Sequence, residues 1–123
     1  MRICLGDVSY AGVESSIFVT FLDGKADFIS VGFPATNWPH VRDAIQAKYR
    51  DETTNETSIV QNRMGASFDQ QTLTWIDGDE TMRAVKRSQN DLTESMVDIV
   101  SESALIERTR RAQEEAKSAA GDL

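Results

Sequence analysis

The chain has 123 residues, 40% of them hydrophobic and 27% charged, the size and composition of one folded domain that needs no disulfide or metal to hold a core. Thirteen basic against twenty acidic residues leave a formal charge of −7. The excess divides evenly, five basic against eight acidic residues up to Val60 and eight against twelve beyond it, so there is neither a basic arm nor an acidic tail, and contact with nucleic acid phosphates is disfavoured.

The first third reads as strands. Ile3–Tyr10 is a short mixed run that breaks at Ala11-Gly12. Ser16–Leu22 is dominated by apolar, aromatic and β-branched residues, Asp23-Gly24-Lys25 follows, and Ala26–Phe33 then alternates with Ile29, Val31 and Phe33 on one side. Asp-Gly between such runs predicts a tight hairpin, because both positions tolerate positive φ. Pro34 ends it. From Thr36 to Arg50 the period becomes helical: Trp38, Val41, Ile45 and Tyr49 form an apolar stripe, Thr36 or Asn37 is positioned to cap, and Pro39 fits the first turn. Asp51–Ser58 reads as a polar linker.

Strands resume in the second half. Ile59–Phe68 is predicted as a strand bent at Met64-Gly65, Thr72–Ile76 as the next, then a turn at Asp77-Gly78-Asp79-Glu80, a strand over Thr81–Arg87, a loop at Ser88–Asp91 and a strand over Glu94–Ser101. A helix over Ser103–Ala120 closes the chain, stopped by Gly121. Its ion pairs at i,i+4 are Glu107–Arg111, Arg110–Glu114 and Arg111–Glu115, and its apolar seam is Leu105, Ala112, Ala116 and Ala119. So narrow a seam suits a helix that lies loosely, extends from the body or faces a partner. Strand runs with one inserted and one terminal helix predict an α+β fold: an antiparallel sheet built as hairpin, helix and meander, in one domain with a body over 1–101 and a C-terminal helix over 102–123.

Catalytic parts are scarce. His40 is the only histidine and Cys4 the only cysteine. A Ser–His or Cys–His pair needs His40 brought to Ser9, Ser67 or Cys4, and no nucleophile motif surrounds any of them. One histidine and one cysteine in different elements fall short of a zinc site, and no phosphate-binding glycine pattern occurs. Asp77-Gly78-Asp79-Glu80 concentrates carboxylates without the alternating ligands of a calcium loop, and reads as a solvated hairpin turn. No catalytic residue, metal or cofactor is therefore predicted. Trp38 and Trp75 fall at core positions of their elements.

Arg83, Lys86 and Arg87 form a local basic cluster on a strand and its exit, suited to guarding a sheet edge or meeting an anionic partner. With Arg108, Arg111 and Glu115 of the terminal helix they are the candidate partner-binding residues. An unpaired thiol in an apolar run, with no export signal at the N-terminus, places the chain in the cytoplasm as it stands.

Phe21-Leu22-Asp23-Gly24-Lys25, Val41 to Tyr49, Gln61 to Phe68, Leu73-Thr74-Trp75 and the closing Arg110-Arg111 to Leu123 together resemble small uncharacterised bacterial proteins that are often exported. The resemblance covers most of the chain and implies a structural likeness without an established activity. Such proteins continue Lys-Tyr with Gly and then Pro, where Arg50-Asp51 stands here. They also begin with a signal peptide and a cysteine-bearing segment, so a trimmed chain implies the periplasm instead. The element order is also loosely similar to modules of outer-membrane assembly lipoproteins and β-lactamase inhibitor proteins, which implies a sheet face able to bind protein.

The expectation is a non-enzymatic module that binds another protein or protein complex through its exposed sheet face or terminal helix. It has no direct nucleic acid contact and no membrane span. Composition also permits a specific form, a phage- or prophage-encoded inhibitor of a bacterial defence complex. A periplasmic accessory protein and a small hydrolase or transferase are the alternatives.

Overall fold

A computed structural model describes the backbone of residues 2–49 and 52–121, and the side chains of 5–49 and 52–117. The side chain of Cys4 and the helix end expected at Arg50 lie outside the described residues. The fold is α+β. Seven strands, β1 (Arg2–Tyr10), β2 (Val13–Leu22), β3 (Lys25–Pro34), β4 (Thr54–Gln61), β5 (Ser67–Asp77), β6 (Glu80–Val85) and β7 (Glu94–Ser101), form one antiparallel sheet in the order β1-β2-β3-β7-β6-β5-β4. Helix α1 (Trp38–Tyr49) is inserted between the two meanders and α2 (Glu102–Gly121) ends the chain. β3 and β7 pair at the centre, Val31 opposite Val97, and join the two meanders.

Local chemistry accounts for most boundaries. Asp23 and Gly24 both have positive φ, 53° and 80°, the geometry that lets a two-residue turn follow the strand twist. Ala11 and Gly12 repeat it at 51° and 79°, and His40 Nε2–H donates to the Ala11 carbonyl at 2.8 Å. That bond ties the strained β1–β2 turn to α1. Among the described residues neither Thr36 nor Asn37, the expected caps, makes a side-chain hydrogen bond to α1. A 3-10 turn, Ala35–Asn37, instead runs directly into the helix, and Pro34 precedes it without a capping bond.

Two strand expectations are corrected. The polar linker at 51–58 is largely strand, since β4 begins at Thr54. As an edge strand with nearly every residue exposed, it needs no apolar alternation, so the periodicity signal vanishes. The single bent strand at 59–68 is the end of β4, a turn and the start of β5. Asn62 makes the turn, its side chain accepting from the amides of Met64 and Ala66 at 3.0 and 2.9 Å, as Asn does when it replaces a backbone partner.

Trp38, Val41 and Ile45 of α1 are buried against Phe33, Leu73, Trp75, Met82, Ala84 and Val97 of the sheet. Trp38 Nε1–H donates to Gln71 Oε1 at 3.2 Å, and Gln71 in turn donates to Asn55. This sets the helix over β5 and the outer strand β4. Tyr49, expected in the apolar stripe, is 48% exposed, because it lies at the last turn.

Helix α2 is held by charge. Asp79, in the β5–β6 turn, accepts the Glu102 amide at its carbonyl and the Ser103 amide at its carboxylate, both at 2.8 Å, and so caps α2 from across the sheet. Arg108 pairs with the buried Asp27 and Arg111 with Asp23 at 2.8 Å. Three of the four expected seam residues are turned outward, Leu105 being 49% exposed and Ala112 and Ala116 exposed, while the side chain of Ala119 lies outside the described residues. Of the predicted helix pairs, Glu107–Arg111 and Arg110–Glu114 form. Arg111 turns to Asp23 rather than Glu115, which has no ion pair among the described residues.

Candidate protein-binding face

Residues directly opposite on paired strands share a face. One row, Ile17, Val31, Val97, Ala84 and Leu73, lies under α1, and the next, Val19, Ile29, Ile99, Met82 and Trp75, continues that apolar layer. The alternate positions form the other face. One of its rows runs across all seven strands: Leu5, Phe18, Ser30, Asp98, Arg83, Thr74 and Thr54. Phe18 and Phe28 meet edge to face with centroids 6.2 Å apart, and Leu5 and Ile76 are 76% and 59% exposed. This face is therefore mixed, with apolar groups among serines, threonines and charges. Asp98 Oδ1 is buried on it with no hydrogen-bond partner among the described residues.

The next row begins Asp7, Ser16, Gly32, Met96. Small residues at Ser16 and Gly32 leave a hollow, and an open groove of about 750 Å³ occupies it. Asp7, Glu14, Asp91 and Glu94 line the groove, and no basic residue does. Gly32 lets two side-chain ends lie close to the strand: a Cβ there would displace Glu94 Oε1, and Met96 Sδ would stand 3.1 Å away. Asp91 accepts from the amide and hydroxyl of Thr93, which holds its carboxyl below the usual range. None of the four carboxylates belongs to an ion pair among the described residues.

The basic candidates read from sequence are placed otherwise. Lys86 and Arg87 both pair with Asp69. Arg87 also donates to the carbonyls of Asp69 and Leu92, and its guanidinium carbon lies 4.9 Å from the Phe68 ring centre. These contacts pull the Asp69 carboxyl below its ordinary value. Arg108 and Arg111 dock α2. Arg83 is exposed on the α1-free face opposite Asp98, in no ion pair among the described residues. Glu115 is exposed on α2. The structure thus gathers Lys86 with Arg87 and Arg108 with Arg111, at separate places, and spends both clusters on internal contacts. The groove acids carry no local motif because they come from two stretches far apart in the chain, Asp7 and Glu14 in one and Asp91 and Glu94 in the other. Their one available signal is parity, since Asp7, Ser9, Glu14 and Ser16 alternate with the positions that face α1.

His40, the one candidate base, donates to Ala11. Among the described residues no group of three or more His, Cys, Asp or Glu is arranged to hold a metal ion, and no helix is long and apolar enough to cross a membrane. Comparison with known proteins returns no matching family model, no matching curated protein and no matching solved structure.

Proposed function

We propose that the protein is a non-enzymatic module that acts by binding another protein on the sheet face α1 leaves uncovered, with the acid-lined groove as its anchor. One observation carries this reading: four carboxylates, in no ion pair among the described residues, line a hollow floored by Ser16 and Gly32. Among the described residues six of eleven basic side chains are held in ion pairs with acids, and four of the carboxylates without such a pair stand together where the surface is concave. Charge complementarity of this kind steers association and selects partners. An inhibitor that covers a basic surface of its target is one form of such a module.

The test is a comparison of captures from the native host's lysate. Ser16→Trp fills the groove on an exposed strand position, while Ala47→Arg alters the exposed side of α1. Partners held by the wild type and by Ala47→Arg, lost by Ser16→Trp and eluted at about 0.5 M salt support the reading. Capture indifferent to Ser16→Trp refutes it.

A further inference from the structure

The outer side of β1 is open. β1 pairs with β2 over its whole length, Arg2 opposite Phe21 to Tyr10 opposite Val13, without a register shift, and pairs with no other strand of the sheet. In an antiparallel ladder about every second residue of such an edge turns its N–H and C=O outward, so the edge is a template for one more strand. Proteins blunt such edges with lysine, proline or bulges. β1 carries one basic residue, Arg2 at its start, and from Ile3 to Leu22 there is no lysine, arginine or proline; the β1–β2 register is regular.

The acid-lined groove begins at this edge, with Asp7 and Ser9 of β1 beside Glu14 and Ser16 of β2. We propose that the β1 edge receives an extended basic segment of a partner protein as an added antiparallel strand, with lysine or arginine at alternate positions over Asp7 and the groove. This rests on the groove reading above and names its occupant. Backbone pairing supplies the recognition of an extended chain, and side chains two residues apart fall on the same face. Cross-strand neighbours stand about 4.5–5.5 Å apart, which sets a cation directly beside Asp7. A second copy of this chain is a poor occupant, because antiparallel pairing of two β1 edges lays two acid-lined faces side by side between bodies of charge −7.

The probe is a peptide of about eight residues, a usual strand length, with lysine and valine alternating. Controls are its glutamate–valine counterpart and two forms N-methylated on every second nitrogen, in either phase. Binding is read by fluorescence anisotropy at low and high salt, and by hydrogen exchange of the Leu5–Tyr10 amides. The expected result is binding of the lysine peptide only, slowed exchange along β1, loss of binding in one N-methylated phase, and a loss of about tenfold or more in Asp7→Lys. Equal binding of both N-methylated forms, or unchanged β1 exchange, overturns the edge pairing while leaving the groove as a site for basic side chains. No binding of the lysine peptide, with partner capture still lost in Ser16→Trp, also overturns the edge pairing alone. Capture indifferent to Ser16→Trp removes the groove reading beneath it.

Discussion

Arg108→Ala is the sharpest test of how α2 is held. Asp27 is 6% exposed. It takes a hydrogen bond from Thr20 Oγ1 at 2.7 Å and its ion pair from Arg108 Nε, while Arg108 Nη2 reaches the Phe21 carbonyl at 3.4 Å. Removing the guanidinium leaves a carboxylate inside the protein with Thr20 as its remaining side-chain donor among these contacts. Breaking a fully buried pair costs about 3–5 kcal/mol; with the Arg108 side chain 26% exposed, about 2–3 kcal/mol is the expectation here. At a urea slope of about 1–3 kcal/mol per molar, the unfolding midpoint at pH 7 falls by roughly 0.7–3 M. Asp27→Ala/Arg108→Ala should recover part of that loss, because it leaves no orphaned charge.

The same pair predicts a pH signature. The Arg108 hydrogen bond, aided by Thr20, holds the Asp27 carboxyl at about 2 against an ordinary 3.8. The folded state therefore binds its proton less readily than the unfolded state, so the contribution is complete above 3.8 and disappears as pH falls through 2. Its size is about 1–2 kcal/mol, allowing for solvent at the guanidinium. Asp69, Asp79, Asp91 and Glu107 are also held low, so the informative quantity is the difference between wild type and Arg108→Ala. Superimposable curves from pH 4 to pH 2, or a midpoint shift at pH 7 under about 0.3 M, refute the ionic docking of α2.

Four further outcomes follow from particular contacts. Asp79→Ala removes the cap supplied across the sheet, and should cost about 1 kcal/mol in urea unfolding, with faster amide exchange in the first turn of α2. Ala11→Gly relieves a positive φ in the β1–β2 turn and should leave stability unchanged or raise it by up to about 1 kcal/mol, read as a change in thermal midpoint. Gly32→Ala meets the mobile end of Glu94 rather than backbone, so stability should change by less than about 1 kcal/mol while the lysine–valine peptide binds more weakly as the carboxylate is displaced. Raising salt to about 1 M shortens the screening length to about 3 Å, and sedimentation should then show self-association that Leu5→Lys, at an exposed β1 position, suppresses.

What was legible in the sequence was whatever is decided by neighbours. The Asp23-Gly24 turn, the alternation of Ile29, Val31 and Phe33, and the spacing of Trp38, Val41 and Ile45 each carry their reason within a few residues. β4 was not legible because a strand exposed on both sides has no pattern to keep. Lys86, Arg87, Arg108 and Arg111 were legible as basic clusters but not in their use. Asp69 is 17 residues from Lys86, and Asp27 and Asp23 are 81 and 88 residues from their arginines. The groove is remote in the same sense. Asp7 and Glu94 share a face through the β1–β2, β2–β3 and β3–β7 pairings, and the last of these joins strands far apart in the chain.

Charge at the β1 edge also explains how a regular outer strand without lysine or proline is tolerated. Elsewhere a lysine on an outer strand repels every further strand that carries lysine, and so protects the edge against copies of itself. Asp7 and Glu14 perform the equivalent service with the opposite sign: they oppose a second copy of this chain, whose edge is acidic in turn, and leave the edge open to a strand that is basic. Lys86, Arg87, Arg108 and Arg111 are bound to Asp69, Asp27, Asp23 and Glu107, so these four cations are engaged away from that edge. On the edge pairing proposed above, one distribution of charge opposes a second copy of the chain and selects a basic strand.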